Sequence, residues 1–455
     1  MKKRIFLAAA ICAAAMLLAP AAASAKSKKA ETEAIETETE SQVFEDESES
    51  ESLVSEDESE SESQASEDES ESESQASEIK KGKALKKGDC IGIAAPAYFI
   101  KNNDFKQSLL FLQKLGYNIK LSESCLTSDR FFAGSDEERA RDLNALFEDD
   151  SVDAILCLRG GYGCARILDL LDYDMIARHP KLLMGYSDIT ALHVALQQKC
   201  GLATVHGPMV SSFSSVYEIY VHRQFEKELD FDDVTDEIDG IAGTDSDDKT
   251  GETDEKAKID KDREKDPLSS LNLAAQDALS IVKGLPLEYT VTQLADGLSS
   301  KAPIGKIQLP KGHELEAMVP GTAEGPIIGG NLTVLVSLLG TDYELKGGHA
   351  LLFIEEVGES AYRIDRMLQQ LYQNGLFDRV DGILIGELTE CSDQEGSTCR
   401  QVIEEYARLA GKPCISGIPA GHGTDNMFLP FGVNAKMTAN NDGSASVEIL
   451  ESALE

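Results

Sequence analysis

The stretch KLLMGYSDIT, residues 181–190, runs from an apolar segment through a short polar turn into a helical pattern. That pattern continues as ITALHVALQQK over residues 189–199. Ser187 therefore stands where a strand ends and a helix begins. A serine followed by an aspartate at such a place ordinarily caps the helix, yet the same kind of turn can present a nucleophile. The two interpretations look alike locally, so the rest of the chain has to separate them.

The segments before this stretch alternate between strand and helix patterns. DCIGIAAPA (89–97) and VDAILCL (152–158) are apolar strands, while SDEERARDLNALFED (135–149) starts with a serine cap and continues as an amphipathic helix. This alternation predicts a parallel sheet covered on both faces, with its ligand crevice at the carboxyl ends of the strands. That rule selects two loops, GYSD and RGGYG (Arg159–Gly163). The second loop lacks the glycine spacing of dinucleotide or phosphate loops.

A second block of strand and helix patterns extends from about Gly325 to Leu450. HALLFIEEVGE reads as a strand that ends in Glu355 and Glu356, and SAYRIDRMLQQLY reads as an amphipathic helix. PCISGIPAGHGTDN carries His422 out of a strand end into a glycine-rich loop, and MTANNDGSASVEIL predicts a closing hairpin. The second block therefore adds a carboxylate and a histidine at strand ends.

Three residue types needed for nucleophilic catalysis now stand at strand ends, in the order Ser187, Glu355, His422. Taken singly, they are more simply a helix cap, a solvated carboxylate and a loop histidine. Together they fit a triad, because a serine hydroxyl needs an adjacent base, and a histidine can take and return its proton. A carboxylate then holds the histidine tautomer. Backbone N–H groups at the helix start after Ser187 can stabilise an oxyanion.

The amino-terminal residues predict an export signal. Lys2, Lys3 and Arg4 are followed by the apolar run Ile5–Leu18 and by the small residues Ala23–Ala25. This order is typical of a bacterial secretory signal peptide over residues 1–25. No later segment is long and apolar enough to span a bilayer, so we expect an exported chain without a membrane span after processing.

Two acidic stretches account for most of the charge. The first contains three eleven-residue units from Phe44 to Ala76, and between Glu45 and Glu78 it has 16 acidic residues and no Lys or Arg. The second, Asp230–Asp266, has 16 acidic and 6 basic residues, a net charge of −10. They hold −26 of the formal −38, which leaves about −12 for the rest. We expect both stretches to be disordered, and the charge argues against nucleic-acid binding.

The nine cysteines do not suggest a metal site. They form no C-x-x-C pair and have no histidine partners at zinc spacing, so we predict neither metal nor cofactor. The cysteines in or beside apolar runs are expected to be buried thiols: Cys157, Cys164, Cys200 and Cys414. A disulfide between Cys391 and Cys399 is an open alternative to two free thiols.

Eight motifs give the sequence a specific resemblance. In chain order they are GDCIGIAAPA, FAGSDEERARDL, RGGYGCARILDLLD, GYSDITALH, HGPM, IIGGNLTVLVSLLGT, LLFIEEVGESAYRIDRML and AGHGTDNMFLPFG. This order is similar to that of the L,D-carboxypeptidase family, which includes muramoyltetrapeptide carboxypeptidases and the microcin C self-immunity peptidase. The resemblance covers nearly all of residues 84–225 and 325–450.

The resemblance implies a Ser-Glu-His triad formed by Ser187, Glu355 and His422. The family acid is followed by an aspartate where this chain has Glu356, which leaves open which glutamate points inward. The implied oxyanion hole uses the N–H of Asp188 and one from the Gly160–Gly161 turn. Arg159 and Tyr162 are candidate substrate-binding residues. Two further arginines, Arg363 and Arg366, are more simply helix-surface charges.

The implied fold is α/β with two domains. A parallel-sheet domain that resembles class I glutamine amidotransferases carries the nucleophile, and a smaller carboxyl-terminal α/β domain carries the glutamate and the histidine. We place the boundaries at 1–25 for the signal peptide, 26–83 for the disordered tail, 84–228 for the first domain, 229–267 for the acidic insert and 268–455 for the linker and second domain.

The implied activity is removal of the terminal D-alanine from murein tetrapeptide stems by an exported enzyme, with peptidoglycan stem peptides as partners and a possible homodimer. Export favours a wall substrate over the intracellular target of the self-immunity peptidase. Two alternatives stay open. One is an enzyme that acts on another peptide-like compound, as the self-immunity type does, and the other is a non-catalytic surface binding protein on the same fold.

Overall fold

The computed structural model describes residues 79–101, 105–214, 283, 287–394 and 396–455. The predicted signal peptide, nearly all of the predicted acidic tail and the insert at 229–267 lie outside the described residues. All elements given below belong to one compact unit, Ser74–Glu455.

The described residues form fourteen strands in two sheets. The strands are β1 (Cys90–Ala94), β2 (Asn118–Leu121), β3 (Ala154–Cys157), β4 (Leu182–Gly185), β5 (Thr204–His206), β6 (Gly305–Lys306), β7 (Glu316–Val319), β8 (Gly321–Asn331), β9 (Leu351–Val357), β10 (Gly382–Thr389), β11 (Cys414–Ser416), β12 (Leu429–Phe431), β13 (Asn434–Ala439) and β14 (Ala445–Ile449).

Nine α-helices lie within the same described ranges. They are α1 (Lys106–Lys114), α2 (Asp136–Glu148), α3 (Cys164–Ile167), α4 (Tyr173–Arg178), α5 (Thr190–Cys200), α6 (Glu288–Ser299), α7 (Leu332–Ser337), α8 (Ala361–Gln373) and α9 (Cys399–Ala410). The helix predicted after Ser135 begins with a capping box, in which the Ser135 hydroxyl accepts from the N–H of Glu138 and the Glu138 carboxylate accepts from the N–H of Ser135.

The first sheet has the order β12-β5-β4-β3-β1-β2, and β1 to β5 run parallel as the sequence predicts. Its outer strand β12 is antiparallel to β5 and comes from the carboxyl-terminal part of the chain. The loop that contains His422 leads directly into β12. The first sheet therefore contains strands from both ends of the described chain. Domain boundaries that follow the order of the sequence do not predict this arrangement.

The second sheet has eight strands in the order β6-β14-β13-β8-β9-β10-β11-β7. Strands β8 to β11 are parallel, and the others pair antiparallel. The predicted hairpin is confirmed as β13 and β14. The smaller size of the second α/β domain stays a prediction, although this sheet has two more strands than the first. The extra strands are short antiparallel edges that periodicity alone does not reveal.

Helix α5 lies between the two sheets. Seven consecutive residues from Thr190 to Leu196 are all buried, because the helix packs against β5 on one side and against β8 and α7 on the other. A helix covered on all sides has no polar face, which explains the apolar run ALHVAL after the serine turn. This packing fixes the helix that follows Ser187.

Helix α6 falls in a stretch where the sequence pattern is irregular. Val291, Leu294 and Leu298 are buried in the core of the first sheet. Gly297 passes so close to Phe428 that an added Cβ would lie 2.3 Å from the ring. The helix therefore supports the segment between His422 and β12.

Candidate active site

Ser187 occupies a sharp turn between β4 and α5. Its backbone φ is +64°, a left-handed value that is unfavourable for a residue with a Cβ. Neither this turn nor α5 has a side-chain cap, so the interpretation of Ser187 as a helix cap is wrong. The Asp188 carboxylate is buried and accepts a 2.8 Å hydrogen bond from the N–H of Cys164. The turn therefore leaves the serine hydroxyl available for another partner.

That partner is His422. Its Nε2 lies 2.9 Å from Ser187 Oγ, and its Nδ1 lies 2.7 Å from Glu355 Oε2. These are hydrogen-bond distances, and together they form a continuous line from hydroxyl to imidazole to carboxylate. The three residues lie far apart in sequence, and the structure brings them together with no other group between them. This arrangement can activate a serine hydroxyl as a nucleophile.

Two adjacent glutamates end β9, and only one reaches the histidine. Successive strand residues point to opposite faces, so Glu355 and Glu356 diverge. Glu355 is fully buried against His422. Glu356 instead accepts hydrogen bonds from Asn331 Nδ2 at 3.2 Å and from the N–H and hydroxyl of Thr333, both at 2.8 Å. In the structure, therefore, Glu355 completes the line to Ser187.

The charge around His422 favours its protonated form. Burial by itself lowers the pKa of His422, but the hydrogen bond and charge of Glu355 outweigh it, with smaller contributions from Glu356 and Glu387, and the net pKa is raised. The Tyr186 ring packs against the imidazole in a T-shaped arrangement, with centroids 5.0 Å apart. An imidazolium formed when Ser187 loses its proton is therefore stabilised in place.

The RGGYG loop lies directly beside Ser187. A Cβ built on Gly160 would lie 2.9 Å from Ser187 Cβ and 3.1 Å from its Oγ, so only glycine fits there. Gly161 has φ +120° and packs against the Tyr98 ring. The same Cβ position on Gly160 is 3.4 Å from the N atom of Asp188. The two predicted sources of oxyanion N–H groups are thus neighbours at Ser187, and their role stays a prediction.

The two predicted substrate-binding residues, Arg159 and Tyr162, belong to this loop. The Arg159 guanidinium lies 5.7 Å from the Tyr98 ring centroid, and its Nε donates to Gly160 O at 3.3 Å. Tyr162 is exposed at the same loop, near the Phe131 and Phe132 rings. Both residues belong to the loop beside Ser187, and their binding of a substrate stays a prediction.

The other predicted arginines are on the exposed face of α8. Arg363 forms an ion pair with Glu359 at 3.2 Å, one turn earlier, and both Arg363 and Arg366 approach the Tyr362 ring. These contacts agree with their interpretation as surface charges.

The cysteines at 391 and 399 are free thiols, and Cys399 Sγ points to the carbonyl of Ser392 at 3.6 Å.

Several residues that hold the His422 loop in place are not predicted from the sequence. The Thr290 hydroxyl in α6 donates to Thr424 O and accepts from the N–H of Asn426, both at 2.9 Å. Asn426 in turn donates to Gly421 O at 3.0 Å. These bonds fix the loop on both sides of His422. Their only sequence signal is the polar composition of the GHGTDN loop, because the partner on α6 is more than 130 residues away.

The described residues contain neither a membrane span nor a metal-binding cluster. No described helix is long and apolar enough to cross a membrane. In the same ranges, no group of three or more His, Cys, Asp or Glu side chains is arranged to hold a metal ion.

Comparison with known proteins identifies the family. Residues 91–207 match the LD-carboxypeptidase N-terminal domain, and residues 324–437 match the LD-carboxypeptidase C-terminal domain. The chain is 33% identical over 381 residues to a probable murein peptide carboxypeptidase of Bacillus subtilis, covering 82% of this chain and 97% of the relative. It is 27% identical to the murein tetrapeptide carboxypeptidase of Pseudomonas aeruginosa, covering 77% and 93%.

Solved structures agree at the level of the fold. The microcin C7 self-immunity protein MccF in complex with glutamyl sulfamoyl guanosine has a TM-score of 0.62 at 22% identity, with 82% of this chain and 99% of that chain covered. The likeness shows a mixed α/β fold with the same two-sheet design. The resemblance of the first sheet to class I glutamine amidotransferases stays a prediction. Sequence and fold together place this chain in the LD-carboxypeptidase family, as a carboxypeptidase.

Proposed function

We propose that this protein is an exported serine-type L,D-carboxypeptidase that removes the terminal D-alanine from murein tetrapeptide stems. The observation that carries the proposal is the hydrogen-bonded line from Ser187 through His422 to the buried Glu355. The names of the relatives, murein peptide and murein tetrapeptide carboxypeptidase, support a stem-peptide substrate.

The proposed reaction begins at the bond between the third residue, an L-centre of a diamino acid, and D-alanine. Ser187 Oγ attacks the carbonyl carbon while His422 Nε2 takes the hydroxyl proton. The negative oxygen of the tetrahedral intermediate meets N–H groups from Asp188 and the Gly160–Gly161 turn. The carbon–nitrogen bond then breaks, and His422 donates its proton to the departing amine of D-alanine.

Water completes the reaction. His422, now neutral, takes a proton from a water molecule, and the resulting hydroxide attacks the acyl ester on Ser187. The ester bond breaks, and His422 returns the proton to the serine oxygen. The products are a tripeptide acid and D-alanine. Throughout, Glu355 holds the histidine tautomer and stabilises the imidazolium, while Arg159 is the candidate partner of the D-alanine carboxylate.

Incubation of the purified protein with a tetrapeptide stem tests this function. We expect release of tripeptide and free D-alanine, measured by mass spectrometry and a D-amino-acid assay. A matched stem that ends in L-alanine should stay intact, since the reaction requires a D-residue after the scissile bond. Absence of D-alanine release from the natural stem across a range of pH values would contradict the proposal.

Export and assembly are separate parts of the proposal. The sequence of residues 1–25 supports secretion, and a wall substrate lies outside the cell membrane. Cell fractionation should recover the full-length protein in the envelope or medium, and a variant without residues 2–25 in the cytoplasm. The chain has a mass of 49.2 kDa before the signal peptide is removed. In analytical ultracentrifugation, a homodimer would have twice the mass of the processed chain.

A further inference from the structure

Glu387 lies beside the candidate triad without belonging to it. It stands in β10 at the irregularity between Ile385 and Leu388, and its N–H donates to Ala420 O at 3.0 Å. A Cβ built on Gly423 would lie 1.7 Å from Glu387 Oε2. The carboxylate therefore lies against the residue that follows His422, and only a glycine leaves room for it.

This carboxylate lacks a strong cationic partner within the described part of the chain. No Lys or Arg nitrogen of a described residue lies within 4.0 Å of it. Its nearby donors are the N–H of Gly423 and the hydroxyl of Thr389, the latter at 3.5 Å. The charge of His313 reaches it, but that imidazole is already 3.6 Å from the Asp425 carboxylate. Burial raises the pKa of Glu387, as expected for a half-buried acid without a close cation.

Opposite charges thus flank the Ser187–His422 pair. Arg159 lies on the Gly160 side of the serine, and Glu387 lies on the histidine side. Both act on Tyr186, the residue before the serine: burial raises the pKa of Tyr186, the charge of Glu387 adds to this rise, and Arg159 opposes it. A ligand at Ser187 therefore meets a cation and an anion at different places.

We propose that Glu387 is a specificity-determining residue that binds a cationic amine on the substrate residue whose carbonyl Ser187 attacks. This inference rests on the proposed function and deepens it, because it selects a diamino acid with a free side-chain ammonium as that residue. The other charged group of the substrate, the D-alanine carboxylate, is repelled by Glu387 and attracted by Arg159. The site thereby orients the peptide by two charges of opposite sign.

Two tetrapeptides that differ only at the third residue test this proposal. One has lysine there, and the other has norleucine, which replaces the ammonium by a methyl group. The measurement is kcat/KM for D-alanine release by the wild type, Glu387→Gln and the exposed-acid control Glu324→Gln. The pH is set above the acid limb of the wild type and below the pKa of the lysine ammonium, so that a change in the pKa of His422 does not enter.

The kcat/KM of the wild type should be about 10- to 100-fold higher for the lysine peptide than for the norleucine peptide. This factor corresponds to the free energy of one hydrogen bond to a charged group. Glu387→Gln should abolish this preference by slowing the lysine peptide while leaving the norleucine peptide within about threefold. Glu324→Gln should keep it. Equal loss with both peptides would mean that Glu387 acts on His422 or on the fold, and would overturn the proposal.

Three other outcomes are equally decisive. Faster turnover of both peptides by Glu387→Gln would show that the carboxylate faces D-alanine, and would also overturn the proposal. If the variant does not fold, as judged by circular dichroism, the wild-type ratio decides, since equal rates on the two peptides exclude an amine subsite. Release of D-alanine from neither peptide by the wild type would instead contradict the proposed function.

Discussion

At Ser187 the chain adopts a backbone conformation that residues with a Cβ rarely take, at φ +64°. Such strain costs about 1–3 kcal/mol and persists only where the surroundings enforce it. Two contacts enforce the conformation of Ser187. Gly160 packs so closely against Ser187 that no larger residue fits at position 160, and the buried Asp188 carboxylate accepts a hydrogen bond from the N–H of Cys164. The strained conformation places the Ser187 hydroxyl at His422. It lowers the stability of the folded state, which a residue that only caps a helix would not need to do.

The pH dependence of activity follows from His422. Only the neutral imidazole can take the serine proton, and the pKa of this group is raised above its ordinary value of 6.5. Activity should therefore be lost as the pH falls through that raised pKa. Because Glu355 contributes most to the rise, Glu355→Gln should move the acid limb of kcat/KM to lower pH and reduce its plateau by about 10³- to 10⁴-fold.

A pH profile of both proteins gives the test, with Glu324→Gln as the control for loss of one distant negative charge. An acid limb that stays in place after Glu355→Gln, or moves to higher pH, would contradict the assigned role of Glu355.

At the scale of elements, a clamp joins β9 to α5. We use this name for Glu356, Asn331 and Thr190: the amide of Asn331 donates to Glu356, and its backbone N–H donates to the Thr190 hydroxyl at 2.9 Å. Thr190 is the first residue of α5, three positions after Ser187, and Glu356 follows Glu355. The clamp therefore ties the strand of Glu355 to the helix that follows Ser187, and its contacts at Thr190 and Asn331 are buried.

Thr190→Val should weaken this clamp. The change keeps the side-chain shape but leaves the N–H of Asn331 buried without an acceptor, which costs about 1–3 kcal/mol in the free energy of unfolding. We also expect kcat to fall with little change in KM, since the nucleophile loses its alignment. Chemical denaturation and steady-state kinetics measure the two effects.

The matched control is Thr292→Val in α6, whose hydroxyl donates to the Glu288 carbonyl of the same helix. If Thr190→Val behaves like this control in both measurements, the clamp has no role in alignment.

At the scale of the whole molecule, two buried histidines make stability depend on pH. His193 and His206 lie between the sheets, and burial lowers the pKa of His193 to about 4 and that of His206 well below its ordinary value. The unfolded chain then binds more protons than the folded one below about pH 6.5. Stability is therefore complete above that pH and is lost as the pH falls, by about 2 kcal/mol at pH 5 for His193 alone.

His206→Phe should reduce this acid sensitivity. Neither nitrogen of His206 has a hydrogen-bond partner among the described residues, and its neighbours include the rings of Phe353 and Phe431. We expect the melting temperature of the variant to fall less between about pH 7 and pH 5 than that of the wild type. The control is His179→Phe at a partly exposed position. An unchanged slope of melting temperature against pH would contradict this account.

The sequence predicts the alternating elements of the first sheet and the residue types of the triad, because period and strand-end position are local properties. It does not predict the distance from Ser187 to His422, which depends on β12 joining β5 and on Thr290 holding the histidine loop. It also does not tell which of Glu355 and Glu356 reaches the histidine, since only the pairing of β9 decides which face of the sheet each side chain lies on. Glu387 is absent from the prediction because its position comes from an irregularity in β10.

Ser187 is the proposed nucleophile of a D-alanine-releasing reaction. The most direct measurement is the rate of D-alanine release from a tetrapeptide stem by the wild type, Ser187→Ala and the control Ser337→Ala, an exposed serine. We expect Ser337→Ala to keep the wild-type rate, and Ser187→Ala to fold normally but to lose about 10⁴-fold or more in kcat. Release that survives Ser187→Ala at a comparable rate would contradict the assignment of Ser187 as the nucleophile.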